Sequence, residues 1–386
     1  MKQIHASIKT GWKMSFIFIV GIMAYLSFWN YQNRVYDWDM PGYIGCLYTL
    51  KFPDAPDKVH QLTYSDIKKK ASAYEFRDIT GTLKIPDKAR QAFAFNTKAF
   101  TEQLPYFKIK TGYNLAVLLL YESELSSPDA VSLLSIFSYF ISGLLAFFIL
   151  KIIFPENYFP AILLTVGIML LPPVTYMSRV STPDLFVLQF LLVFMIGFLK
   201  KWSRWMMFSV LFVITFTRPD YLPLTLSYLM LKGIYGYFGD RKLDFSLAAQ
   251  GIILVILYLT IIKFSGYPGW KHLFYDSFIY RRPLISGSPP HFTLHDYLNI
   301  ICTKVIHFKK VTLISFGLTG LIFYWSEDRW IRAFSVVVLI NIYIKFLIFP
   351  HSAGLRFFFG YIILLLFICL SVFSRKYNGF RLRKIV

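Results

Sequence analysis

A few short segments carry the side chains that could do chemistry. The first is Tyr36-Asp37-Trp38-Asp39-Met40-Pro41-Gly42-Tyr43, directly after the first apolar run. A carboxylate beside aromatic rings at a membrane face is partly desolvated, keeps a useful basicity and can take a proton from a hydroxyl. If residues 39–43 are helical, Asp39 and Tyr43 share a face. The Asp37–Asp39 spacing also leaves a divalent metal open. The bland alternative is a solvated loop start beside belt aromatics. The second segment is Arg179-Val180-Ser181-Thr182-Pro183-Asp184, where Thr182 or Asp184 could equally cap the apolar helix that follows. Capping does not account for Arg179. Arg218-Pro219-Asp220 and Arg356 occupy further short turns, and Lys345 lies inside an apolar run. An ionisable residue within a span is costly and marks a function, unless it snorkels outward. Together Arg179, Arg218, Lys345 and Arg356 would suit an anionic headgroup such as a lipid-linked phosphate. His291 and His295 are spaced like a helical metal pair, but no Glu follows the first, so the zinc-protease motif is absent and a plain loop is favoured. Cys46, Cys302 and Cys369 lack metal spacing, and a Cys46–Cys302 disulfide is disfavoured.

The elements that position these residues must be membrane spans. Of the 386 residues, 56% are hydrophobic and 16% charged, against about 45–50% and about 25% in soluble domains. The apolar residues come in blocks suited to a bilayer, predicting an all-α polytopic membrane protein, 1–386, with about ten transmembrane helices: 14–29, 130–150, 158–177, 185–199, 205–217, 221–233, 246–264, 311–325, 331–350 and 357–373. The fifth and sixth could be one helix broken at Pro219. Pro172 and Pro173 would bend the third. The first resembles a signal peptide without a cleavage site and is expected to remain as a span.

The net charge of +20 raises the question of nucleic acid. The surplus, however, sits between apolar blocks, at Lys200, Lys201 and Arg204, at Arg329 and Arg332, and in both basic tails. That is the positive-inside pattern. It puts both termini in the cytoplasm and excludes nucleic acid as partner. Residues 30–129 then form a long first extracytoplasmic loop with interfacial helices, Tyr113–Tyr121 among them. Residues 265–310 form a second outer segment.

With these elements in place, Asp39-Met40-Pro41-Gly42-Tyr43 resembles the start of the first outer loop in GT-C glycosyltransferases, above all the protein O-mannosyltransferases and lipid A aminoarabinose transferases. Leu104 to Tyr113, Arg179 to Asp184, Arg218-Pro219-Asp220 and Leu355-Arg356-Phe357-Phe358 are similar to later motifs of that family, in order. The resemblance implies a sugar transferred from a polyprenyl-phosphate donor to a hydroxyl of a lipid, glycan or protein acceptor, at the outer face of a bacterial inner membrane. It implies Asp39 as catalytic base, Asp184 as supporting acid and Arg356 as a donor-phosphate contact, with Asp37, Tyr43, Arg179, Arg218 and Lys345 around the substrate and no certain cofactor. The chain departs from the family where many members have two adjacent acids, since Met40 follows Asp39. It also lacks the large soluble C-terminal domain that some members carry. The alternatives are an O-antigen-type polymerase or ligase, for which a large loop late in the chain is expected, and a transporter, for which matched halves are expected.

Overall fold

The computed structural model describes residues 2–241, 244–351 and 355–377, without the side chains of 2–9 and 240. Arg381, Arg383 and Lys384 of the basic C-terminal tail, Lys242, and the middle of the His351–Arg356 turn lie outside the described residues. All regular structure among the described residues is helical.

Helix α1 (Lys2–Gln32) is followed by a helical layer: α2 (Met40–Lys51), α3 (Pro56–Lys70), α4 (Ala73–Ile79), α5 (Lys88–Phe95), α6 (Thr97–Gln103), α7 (Pro105–Lys108) and α8 (Thr111–Glu122). Its boundaries follow local chemistry. Ser72 and Glu75 form a reciprocal capping box at α4, and the Asp87 carboxylate accepts the first N–H groups of α5. Apolar faces of α2, α3 and α8 share one core, with Tyr43, Ile44, Ile67 and Tyr113 almost fully buried.

The apolar bundle comprises α9 (Ser127–Ile153), α10 (Tyr158–Met169), α11 (Pro172–Arg179), α12 (Asp184–Lys200), α13 (Arg204–Thr217), α14 (Leu222–Asp240) and α15 (Phe245–Ser265). It continues after the short α16 (Trp270–Phe278) with α17 (Leu294–His307), α18 (Lys309–Trp325), α19 (Arg329–Ile348) and α20 (Phe359–Lys376). Every apolar block is helical, and by length and composition fewer than ten of the described helices qualify as full spans. Among the described residues, five helices are long and apolar enough to cross a bilayer, or up to seven if each of two bent pairs is one span. α12 has 17 residues and α13 has 14; at 1.5 Å per residue these reach about 26 and 21 Å, short of a core of about 30 Å.

The bent pairs are α10–α11, at 58°, and α17–α18, at 67°. The first break falls at Leu170–Leu171, just before Pro172, whose ring cannot continue the helix. Residues 205–233 form two helices meeting at a corner. Both pack on α15, and the Thr215 and Thr225 hydroxyls lie 3.4 Å apart.

Two ends result. At one, Trp12 Nε1 donates to the Pro155 carbonyl (2.8 Å), Ser374 Oγ to that of Ile153 (2.5 Å), and Arg204 pairs with Asp244. The Lys200–Lys201, Arg329 and Arg375 clusters belong to this end. The helical layer, the 180–184 turn, the Arg218 corner and the α19–α20 turn meet at the other. Cys46 is buried and Cys302 exposed, both as free thiols. His295 contacts Asn299 within its own helix (3.0 Å).

Candidate active site

Asp39 is the N-cap residue of α2, yet its side chain makes no capping hydrogen bond. Pro41 opens the helix in its place, since its missing N–H needs no partner there. The carboxylate turns to Arg356, whose Nη2 donates to Asp39 Oδ2 at 3.0 Å. Asp39 Oδ1 has no hydrogen-bond partner among the described residues, and a quarter of the side chain stays exposed (25%).

Arg356 also meets Asp184, with Nε 2.9 Å from Oδ2. The contact is ionic, because the N–H is not aligned on the oxygen. Asp184 stands in the first turn of α12, where the helix dipole favours an anion. Thr182 Oγ1 accepts the Asp184 N–H at 3.3 Å, so the expected help to the helix start comes from Thr182, while the Asp184 side chain turns to cations. Thr182 Oγ1 donates to Asp184 Oδ2 and Arg218 Nη1 to Oδ1, so the carboxylate bridges two arginines.

Arg218 reaches on to Asp220, Nε to Oδ1 at 3.0 Å, and Asp220 Oδ2 lies 2.8 Å from Lys345 Nζ. The sequence therefore runs Asp39–Arg356–Asp184–Arg218–Asp220–Lys345, with charges alternating from α2 to α19. Lys345 is 7% exposed and sits over the faces of Tyr221 and Tyr361, 4.7 and 5.4 Å from their centroids. It does not snorkel. A buried charge needs such partners.

Asp37 is held differently. Its Oδ1 accepts the Ser181 N–H at 3.0 Å, joining the α1–α2 loop to the 180–184 turn. Burial first, then the charge of Asp39, push its carboxyl up to about 7. Tyr43 is 1% exposed, edge-on to Tyr113 and Phe107 at 4.7 and 5.2 Å. Its ring is buried between these two and is not part of the cavity lining described below. Arg179 lies outside the network, where Nε donates to Asn30 Oδ1 (2.9 Å) and the guanidinium covers Trp29 (4.3 Å). These contacts tie α11 to α1.

Lys110 lies within the Leu104–Tyr113 motif, where the sequence assigns it no role. It precedes α8 and faces Phe107 and Tyr43 at 4.9 and 5.3 Å. Gly112 brings it there: a Cβ at Gly112 would stand 2.9 Å from Thr217 Cα, so only glycine lets α8 start against the residue before Arg218. Burial pushes the Lys110 ammonium down to about 8, against the pull of Asp39. Its sequence signal is a cation immediately before an apolar helix.

Asp39, Lys110 and Arg356 open onto a cavity of about 1780 Å³. One part of its wall is polar. The other is apolar, from Leu171, Pro172 and Tyr176 of the α10–α11 bend and from Ile314, Ile363 and Leu366 of α18 and α20. His351 also lines it, against Phe357 at 4.5 Å, and burial with Arg356 beside it pushes its imidazole down to about 4, hence neutral at pH 7. Asp184, Arg218 and Lys345 stand behind this wall. Among the described residues no group of three His, Cys, Asp or Glu is placed to hold a metal ion. The cavity can thus hold an amphiphile with its anionic group against Arg356 and Lys110 and a hydroxyl at Asp39. Compared with family models, curated proteins and solved structures, the chain matches none.

Proposed function

We propose that the protein is an integral membrane glycosyltransferase of the GT-C type, moving a sugar from a polyprenyl-phosphate donor to an acceptor hydroxyl. The observation that carries this reading is Asp39 with one oxygen on Arg356 and the other without a partner among the described residues, at a cavity lined by both cationic and apolar side chains. The lipid chain follows the apolar wall past the α10–α11 bend. The phosphodiester sits against Arg356 and Lys110. Asp39 takes the acceptor's proton, the acceptor oxygen bonds to the anomeric carbon from the opposite side, and the C–O bond to phosphate breaks. The electron pair leaves with the lipid phosphate, whose growing charge the fixed cations stabilise. The configuration is inverted. Asp184 and Arg218 hold Arg356 in place, and Asp37 holds the loop that carries Asp39. In this reading the site faces the outside of a bacterial inner membrane and both termini are cytoplasmic.

The test is transfer of radiolabelled sugar from lipid donor in membranes holding matched amounts of each variant. Asp39→Asn keeps the shape but cannot accept the proton, and general-base catalysis contributes about 10²–10⁴-fold. Transfer should fall by at least 10²-fold with insertion intact. Near-normal transfer by Asp39→Asn would remove Asp39 as base.

A further inference from the structure

The cavity carries more positive charge than one phosphodiester neutralises. Six of its lining side chains are Lys or Arg and two are Asp. Arg282 is matched by Asp276 and Arg356 by Asp39, which leaves Lys110, Arg281, Lys309 and Lys310 without an ion pair among the described residues.

Arg281 is the most constrained of these. Its guanidinium lies over Trp38, 4.3 Å from the ring centroid, and 5.7 Å from that of Phe93. Arg90 also lies over Trp38, at 4.9 Å, but is tied to Asp78 and Asp87. Stacking fixes the plane of a guanidinium and leaves its edge N–H groups free to donate. Arg281 keeps exposed surface, and that surface faces the cavity. Surrounding protein removes enough water to lower its pKa despite Asp87 and Asp39 nearby, a cost that a bound anion would relieve. The loop that bears Arg281 is itself anchored. Arg282 grips Asp276 at 2.7 and 2.9 Å, and Ser286 Oγ donates to Glu102 at 2.6 Å. Arg281 reaches the cavity from the loop after α16 and is stacked on the residue preceding Asp39, whereas Arg356 comes from the α19–α20 turn.

We propose that Arg281, oriented by Trp38 and Phe93, is a second anion-binding subsite beside Asp39, separate from the donor-phosphate contacts at Arg356 and Lys110. Its ligand is a phosphate or carboxylate, carried either by the acceptor or as a second phosphate of the donor. The inference rests on the donor reading of Arg356 given above. If the acceptor carries the anion, Arg281 sets acceptor specificity by holding it within reach of the base.

The experiment is binding rather than transfer. Purified full-length protein in nanodiscs is titrated by isothermal calorimetry with glucose, glucose 6-phosphate, farnesyl phosphate and farnesyl diphosphate. Wild type, Arg281→Gln, Arg281→Lys and Arg356→Gln are compared. Charge-assisted hydrogen bonds are worth about 1.5–3 kcal/mol, so a loss of about 10-fold or more in Kd is expected. With an anionic acceptor, glucose 6-phosphate binds in preference to glucose and weakens in Arg281→Gln, while farnesyl phosphate is unchanged. With a diphosphate donor, Arg281→Gln weakens farnesyl diphosphate alone. Arg281→Lys should recover part of either loss. The subsite is overturned if Arg281→Gln alters no probe, if it weakens farnesyl phosphate equally, or if neither glucose 6-phosphate nor farnesyl diphosphate binds in the millimolar range. An Arg356→Gln variant with unchanged farnesyl phosphate affinity would instead sink the donor reading, and an Arg281 effect on glucose 6-phosphate would stand without it.

Discussion

Arg356 and Arg218 both hold Asp184, yet their removal should have different consequences. The Arg356 side chain is 18% exposed and its partner Asp39 25%. Without Arg356, Asp184 keeps Arg218 and Thr182, and Asp39 faces the cavity. Partly exposed pairs contribute about 0.2–1 kcal/mol, so Arg356→Ala should cost at most about 1 kcal/mol of stability. Under the proposed function its contact to donor phosphate would be worth about 1.5–3 kcal/mol, so transfer should fall about 10- to 100-fold, as a raised donor KM or lowered kcat. Arg356→Lys should recover only part, because an ammonium lacks the fork that matches phosphate oxygens. Arg218 is 7% exposed and Asp184 5%. Arg218→Ala strips a buried carboxylate of its nearest cation, which costs about 3–5 kcal/mol, so that variant should fail in folding before it fails in chemistry. Thermal unfolding in nanodiscs and transfer rates across donor concentrations separate the two cases. An Arg356→Ala protein with normal KM and kcat, or an Arg218→Ala protein that melts like wild type, would refute the division of labour.

Three further outcomes are expected. The raised Asp37 carboxyl means that between pH 3.8 and about 7 the unfolded chain has lost a proton that the folded protein keeps; stability should fall across that window, level off above it, and lose this slope in Asp37→Asn, as melting curves against pH would register. The lowered Lys110 ammonium loses its charge as pH rises through about 8, so donor affinity should weaken there, and Lys110→Arg should hold it to higher pH; a wild-type donor KM that stays flat from pH 7 to 9 would count against Lys110 as a phosphate contact. A cysteine placed at Ser72, with native cysteines removed, should react with a membrane-impermeant maleimide on intact cells, and reaction only after permeabilisation would reverse the assigned sidedness.

Much of the site was legible because its residues break local rules. Asp39 directly follows an apolar run, Lys345 lies inside one, and Arg218 and Arg356 sit where the expected positive-inside pattern disfavours cations. The structure brings these four together with Asp184. Arg179 broke the same rule for a different reason, since Trp29 and Asn30 satisfy it. Lys110 sits unremarked inside the Leu104–Tyr113 motif and Arg281 in an outer segment that reads as a plain loop, because nothing local says that their segments fold over a cavity. Span count is the part of the fold that apolarity does not fix. Composition marks an apolar helix, but α12 and α13 are short and two others are bent, and neither length nor bend is fixed by apolarity alone. The Asp39–Arg356 contact joins residues 317 apart, a pairing that no local pattern encodes.

That separation has a consequence in time. At about 5–20 residues per second of synthesis, Asp39 leaves the ribosome roughly 16–60 s before Arg356. Once Arg218 has followed, Asp184 has one arginine and waits for its second, and Asp39 waits for the same residue. A chain caught half-made therefore lacks the Asp39–Arg356 contact, and with it, under the proposed function, the arrangement that transfer would need.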